Sequence, residues 1–162
     1  HRSWAKERLE LIKSGQCDSI PYWIHKRRML PQQDTLFSAN QWRTSLANLI
    51  ESNPQNKMAA DYLLCFHLLN KDLQLFKKDY DRYYYPAFGS FPSRLYQEAL
   101  IACMNEKENP QEQLKHYRIS AKVYKDCLQY LSIYDAKGDG RALEKLFGKT
   151  YWFYYYYAQL KP

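Results

Sequence analysis

The chain has only 5 glycines and 7 prolines in 162 residues, too few for the turn-rich chain of a β-sandwich. No apolar stretch approaches the roughly 20 residues that a membrane-spanning helix needs. The four cysteines, Cys17, Cys65, Cys103 and Cys127, form no Cys-x-x-Cys pair, which removes zinc-ribbon and thioredoxin-like readings. Four histidines (His1, His25, His67, His116) stand apart, without the His-Glu-x-x-His spacing of a metalloprotease. A Gly-x-Ser-x-Gly elbow, a phosphate-binding glycine loop and a dinucleotide fingerprint are all missing. No cofactor is expected.

What is present is ordinary in bulk and unusual in its aromatics. Hydrophobic residues make up 46% and charged residues 25%, which suits a folded globular chain and excludes intrinsic disorder. The length fits a single domain, 1–162. Lys+Arg exceed Asp+Glu by 24 to 17, a formal charge of +7. Tyrosine is in excess, with 16 residues beside 4 Trp and 7 Phe. The chain opens on His1 rather than Met, so it is expected to be a fragment or a processed product, with Ser3 as the N-cap of a first helix.

Apolar residues recur at helical spacing in nearly every window. Trp4 to Ile12 form a first helix stopped by Gly15. A short basic helix follows Pro21 and ends before Pro31; without it the segment from about 14 to 38 is an improbably long loop. Trp42, Leu46, Leu49 and Ile50 predict a third helix, ended at Asn53-Pro54. From Met58 to Leu69 only Asp61 and His67 are clearly polar, which predicts a central helix buried on most sides. After a tight turn at Asn70-Lys71-Asp72, Leu73, Phe76, Tyr80, Tyr83 and Tyr84 mark the next helix. Gln74, Lys77, Lys78, Asp81 and Arg82 are expected to face water, and Pro86 to close it. A helix from Ser93 carries Leu95, Tyr96, Ala99, Leu100 and Cys103.

Asn109-Pro110-Gln111-Glu112 is a strong helix start. It predicts one long helix to Tyr134, with Leu114, Tyr117, Ala121, Tyr124, Leu128 and Leu131 as its main apolar stripe. Val123, Cys127, Tyr130 and Tyr134 make a second, and Gly138 is the C-cap. Leu143–Phe147 and Thr150–Leu160 finish the chain. The expected fold is all-α: antiparallel helical hairpins stacked as a short tetratricopeptide-like α-α superhelix, with an irregular helical bundle as the alternative.

Candidate chemistry is sparse. Asp135–Gly140 imitates a calcium loop, but Lys137 replaces an oxygen ligand and Phe147 the closing glutamate. His67 reads as a hydrogen-bonded core residue. The carboxylate pairs Asp79/Asp81 and Glu106/Glu108 lie two apart on helices and read as solvated. Lys115, Arg118, Lys122 and Lys125 make one basic stripe on the predicted long helix. His25-Lys26-Arg27-Arg28 is a second basic feature, beside Tyr22 and Trp23. The run Tyr151–Tyr157 is read first as a packed terminal helix with wet hydroxyls, and alternatively as a docking surface.

The segment Asn53–Leu64, its continuation Leu69-Asn70-Lys71-Asp72-Leu73 and the close Phe147–Tyr154 resemble the C-terminal region of an uncharacterised family of large, multi-pass bacterial membrane proteins of Bacteroides type. The resemblance implies a helical tail on a membrane-anchored parent, facing an unknown side, and implies no reaction.

The first expectation is therefore a non-catalytic protein-interaction or scaffolding domain. Its partner is a protein or peptide, or the membrane part of its own parent. Its candidate surface comprises Arg82, Tyr83, Tyr84, Lys115, Arg118, Lys122, Lys125, Tyr130, Tyr154 and Tyr155. The alternative is an accessory domain contributing glycan or phosphate contacts to an envelope-polymer enzyme encoded upstream. Nucleic acid binding through Trp23 and Lys26–Arg28 ranks last.

Overall fold

The computed structural model of the chain describes residues 2–15, 20–28, 41–89, 91–104, 109–136 and 140–158. Among these the regular structure is entirely helical, as the periodicity predicts. His1, Cys17, the stop before Pro31, the Glu106/Glu108 pair, the Gly138 cap and Leu160 lie outside the described residues. The chain divides into two compact units, 1–60 and 61–162.

The first unit holds α1 (Arg2–Lys13), α2 (Pro21–Arg28), α3 (Trp42–Ser52) and the start of α4 (Lys57–Leu69). Gly15 follows α1 at φ +70°, the left-handed backbone that ends a helix cheaply only at glycine. Ser3 lies inside α1 rather than capping it. Asn56 caps α4, its Oδ1 accepting from the Ala59 amide at 3.2 Å. Among the described residues of this unit, Ile50, Ala59 and Ala60 are the buried apolar ones.

The second unit begins inside α4. It continues through α5 (Leu73–Asp79), a π-helical turn at Tyr80–Tyr84, α6 (Tyr85–Phe88), α7 (Arg94–Ala102), α8 (Pro110–His116), α9 (Ala121–Asp135), α10 (Gly140–Phe147) and α11 (Tyr151–Tyr157). α7 is the hub, with α5, α9 and α11 packed against it, while α10 packs on α9 and α11. Ser93, Ser120 and Thr150 each cap the helix that follows, their hydroxyls accepting from Tyr96, Val123 and Phe153 amides.

Four local expectations are corrected. α4 buries Leu63, Leu64, His67 and Leu68, but Met58, Tyr62, Phe66 and Leu69 are exposed, so it is two-sided rather than enclosed. Pro86 does not close the helix after Leu73. The π turn widens the backbone by one residue, with the Tyr85 amide reaching back to the Tyr80 carbonyl, and the rod runs on through Pro86 to Phe88. The predicted long helix is two. α8 ends at a left-handed Arg118 (φ 52°), where the Arg118 amide bonds the Lys115 carbonyl and the Ile119 amide the Leu114 carbonyl, a helix-terminating pair of bonds. Ser120 then caps α9 as a separate helix. The stripe order also reverses, because Val123, Cys127 and Tyr130 are buried while Leu128 and Leu131 are exposed.

Candidate functional site

Steps of three and four residues along α5 put Gln74, Lys77 and Lys78 on one side of the helix. With Leu73, Asp81 and, from the end of α7, Ala102 and Cys103, they line an open hollow of about 510 Å³. Two of its polar groups, Lys77 and Asp81, close into a ring with Tyr117. Lys77 Nζ donates to Asp81 Oδ2 at 3.0 Å and to Tyr117 Oη at 2.9 Å, and Tyr117 Oη donates to Asp81 Oδ1 at 2.8 Å. Burial pulls the lysine towards its neutral form, yet its bonds to Tyr117 and Asp81 outweigh that and raise its pKa. An ammonium has three donors, so Lys77 retains one beyond these two bonds. Lys78 and Gln74 are exposed beside it. Burial pushes the Cys103 thiol up to about 12, only partly offset by the Lys77 charge, and its Sγ lies 3.5 Å from the Leu73 carbonyl.

Two further polar knots are buried. His67 Nε2 lies 2.8 Å from Asp79 Oδ2 with both side chains almost wholly enclosed, as expected of His67. Asp79 is thus a core residue rather than the solvated partner of Asp81. Glu98 is buried as well. Its Oε1 accepts from Arg94 Nε at 2.8 Å and its Oε2 from the Tyr151 amide at 2.7 Å, while its main-chain oxygen accepts from Trp152 Nε1 at 2.9 Å. Arg94 also reaches Asp126 at 3.0 Å. The first knot ties α4 to α5, and the second ties α7 to α11.

The surface residues expected from the sequence scatter. Tyr130 is 0% exposed and packs against Phe147 and Trp152, so it lines no surface. Tyr84 is 3% exposed, stacked on Tyr80 and edge-on to Tyr96, and is core for the same reason. Arg82 is exposed with its guanidinium 4.8 Å from the half-buried Tyr83 ring. The break at Arg118 separates Lys115 on α8 from Lys122 and Lys125 on α9, so the four cations make no single-helix stripe, although each is exposed. Arg118 lies over Phe91, 84% exposed. Tyr154 and Tyr155 are half-buried, with Lys71 Nζ 5.6 and 5.9 Å from their ring centres. In the first unit Lys26, Arg27 and Arg28 are exposed and Trp23 is half-buried.

Sequence reasoning missed Tyr117, Cys103 and Glu98 as parts of polar clusters. Only the four-residue spacing of Lys77 and Asp81 hinted at their pair. Of the calcium-like segment, Lys137–Asp139 lie outside the described residues; among those described, no group of three His, Cys, Asp or Glu side chains is placed to hold a metal ion. No curated protein and no solved structure gives a match to this chain. The chain matches one family model over residues 1–158, and it belongs to that family of unknown function, DUF6057.

Proposed function

We propose that the chain is a non-catalytic protein-interaction domain whose hollow beside α5 takes an acidic side chain of a partner peptide. The observation that carries this is Lys77: Asp81 and Tyr117 fix its ammonium in place and keep it charged, with one N–H left over. Lys78 and Gln74 add exposed donors, and Leu73 and Ala102 add apolar wall for the aliphatic part of a Glu or Asp side chain. The same groups are poor catalysts. A lysine held as ammonium has no lone pair to attack with, and a thiol at about 12 yields almost no thiolate near neutrality. Membrane tethering of a larger parent, which the resemblance implies, belongs to this proposal as its setting.

A peptide array of randomised hexamers probed with the full chain tests it. Acid-containing peptides are expected to dominate, and Lys78→Glu, on an exposed residue outside the ring, to weaken them about tenfold. Equal retention by the variant, or no enrichment of acidic sequences, defeats the reading.

A second reading, contact with an anionic envelope polymer, is favoured by Arg118 over the exposed Phe91 ring, a pairing suited to a sugar face and its phosphate. Arg118→Ala should then weaken retention on a phosphorylated polysaccharide matrix and leave the peptide array unchanged.

A further inference from the structure

α1 is amphipathic, and the side it leaves uncovered is the apolar one. At 100° per residue, Trp4, Ala5, Leu9, Leu11 and Ile12 fall within one arc of about 160°. Lys6, Glu7, Glu10 and Lys13 occupy the opposite arc. In a helix that packs on its own domain the apolar arc is the buried one. Here Trp4 is 62%, Ile12 56% and Leu9 49% exposed. The one charged residue inside the apolar arc is Arg8, whose guanidinium lies 5.7 Å from the Trp4 ring centre.

α2, in the same unit, buries none of its residues either. Its last turn is His25-Lys26-Arg27-Arg28, and Lys26 lies 5.7 Å from the ring of the exposed Tyr22. Together the two helices hold seven Lys and Arg against two glutamates. The two helices thus leave exposed both apolar and aromatic side chains and an excess of cations.

We infer that α1 lies in the headgroup layer of an anionic phospholipid membrane, with Trp4, Leu9 and Ile12 inserted and the α2 cations drawn to the same charged layer. Charge complementarity selects this occupant. An apolar protein groove would enclose the Arg8 guanidinium together with the ring it covers, at the cost of its solvation. At a bilayer surface that guanidinium sits at the depth of the phosphates while its stem and Trp4 stay in the acyl boundary. A nucleic acid would answer the cations and leave Leu9 and Ile12 in water. This inference is independent of the peptide hollow, which is in the other unit.

Co-sedimentation of the full chain with vesicles tests it, comparing phosphatidylcholine alone with phosphatidylcholine containing about one-third phosphatidylglycerol. Binding is expected on the anionic vesicles, about tenfold weaker on the neutral ones, and reduced severalfold between about 50 mM and about 300 mM salt. The variant Trp4→Ser with Ile12→Ser changes exposed side chains only, and circular dichroism verifies its fold. It should lose most of the binding, and Lys26→Ala with Arg27→Ala and Arg28→Ala should lose the preference for anionic lipid. No binding to anionic vesicles, or equal binding by the serine variant, overturns the inference. So does a concentration-dependent dimer that the same variant dissolves, because the face would then belong to a second copy.

Discussion

The hydroxyl of Tyr154 donates to the main-chain oxygen of Leu69 across 2.7 Å, so the final helix closes the carboxyl end of α4. Tyr151 does the same for Leu68 at 3.2 Å. The favour is returned by Lys71, whose ammonium donates to the Ala158 carbonyl at the end of α11. Helix ends leave carbonyls without partners, and here two ends supply each other. Part of the tyrosine excess is thereby explained: phenols provide ring area for packing and a hydroxyl long enough to reach a distant carbonyl.

Lys71 holds a left-handed backbone (φ 58°), with the Asp72 amide bonded to the His67 carbonyl and the Lys71 amide to that of Leu68. Glycine is the usual residue there, and a side chain costs about 1 kcal/mol. Lys71→Ala keeps that cost and loses the Ala158 bond and the ring contacts, so it should destabilise by about 1–2 kcal/mol. Lys71→Gly loses the same contacts but relieves the backbone, and should lie about 1 kcal/mol above the alanine variant. Urea midpoints of both variants give the comparison; equal midpoints would mean the backbone at this turn is unstrained.

Glu98 joins α7 to α11 through one side chain. Replacing it with alanine leaves the buried Tyr151 amide without an acceptor, while Arg94 keeps Asp126 and, being half exposed, can rehydrate. The expected loss is about 2–3 kcal/mol, set mainly by the orphaned amide. Glu98→Gln keeps the shape and an acceptor, and should lose less than half as much. A glutamine variant as unstable as the alanine one would show that the charge, not the acceptor, matters at this position.

High pH should unfold the chain before low salt or mild acid does. Burial raises the Cys103 and Cys127 thiols to about 12 and about 11, and it also raises the hydroxyls of Tyr80, Tyr96, Tyr130 and Tyr151. Above the ordinary thiol value of about 8.5 the unfolded chain releases protons that the folded chain keeps, so the unfolded state gains. Lys77 acts in the same direction, since its raised pKa stabilises the fold only while it stays protonated. Urea midpoints are expected to fall steadily from about pH 9 upward, with Cys103→Ala flattening the first part of the decline. Alkylation of native Cys103 near pH 8 should also be much slower than that of an unburied thiol. A midpoint unchanged to pH 11 would contradict this account.

Helical class and most helix positions were legible because caps and period are local: Asn109-Pro110, Ser93 and Thr150 each start a helix where the sequence places one. What was illegible depends on contacts between distant residues. Tyr117 is 36 positions from Asp81, and Tyr151 is 53 from Glu98; no spacing rule connects them. The choice between two apolar stripes on α9 was settled by where α7 and α10 sit, not by the hydrophobicity of Leu128 or Val123. Aromatic residues misled for a related reason. A tyrosine suits a surface or a core equally well, and Tyr84 and Tyr130, expected at a surface, turn their rings inward onto other rings.

Ser120 discriminates most sharply between the continuous helix that the periodicity suggests and the break that the structure contains. Inside a continuous helix, serine is a poorer helix former than alanine, and Ser120→Ala would stabilise by about 0.5 kcal/mol. At a helix start its hydroxyl accepts from the Val123 amide at 3.3 Å, and the same change costs about 1 kcal/mol. The two arrangements therefore predict opposite signs. Its own amide, held at 2.9 Å by the Gln97 side chain, ties the break to α7. Gln97→Ala should accordingly destabilise by a similar amount, and the double variant by less than the sum, because both changes loosen one junction. Thermal melts of the two single variants and the double variant provide the test, and a stabilised Ser120→Ala would restore the single long helix.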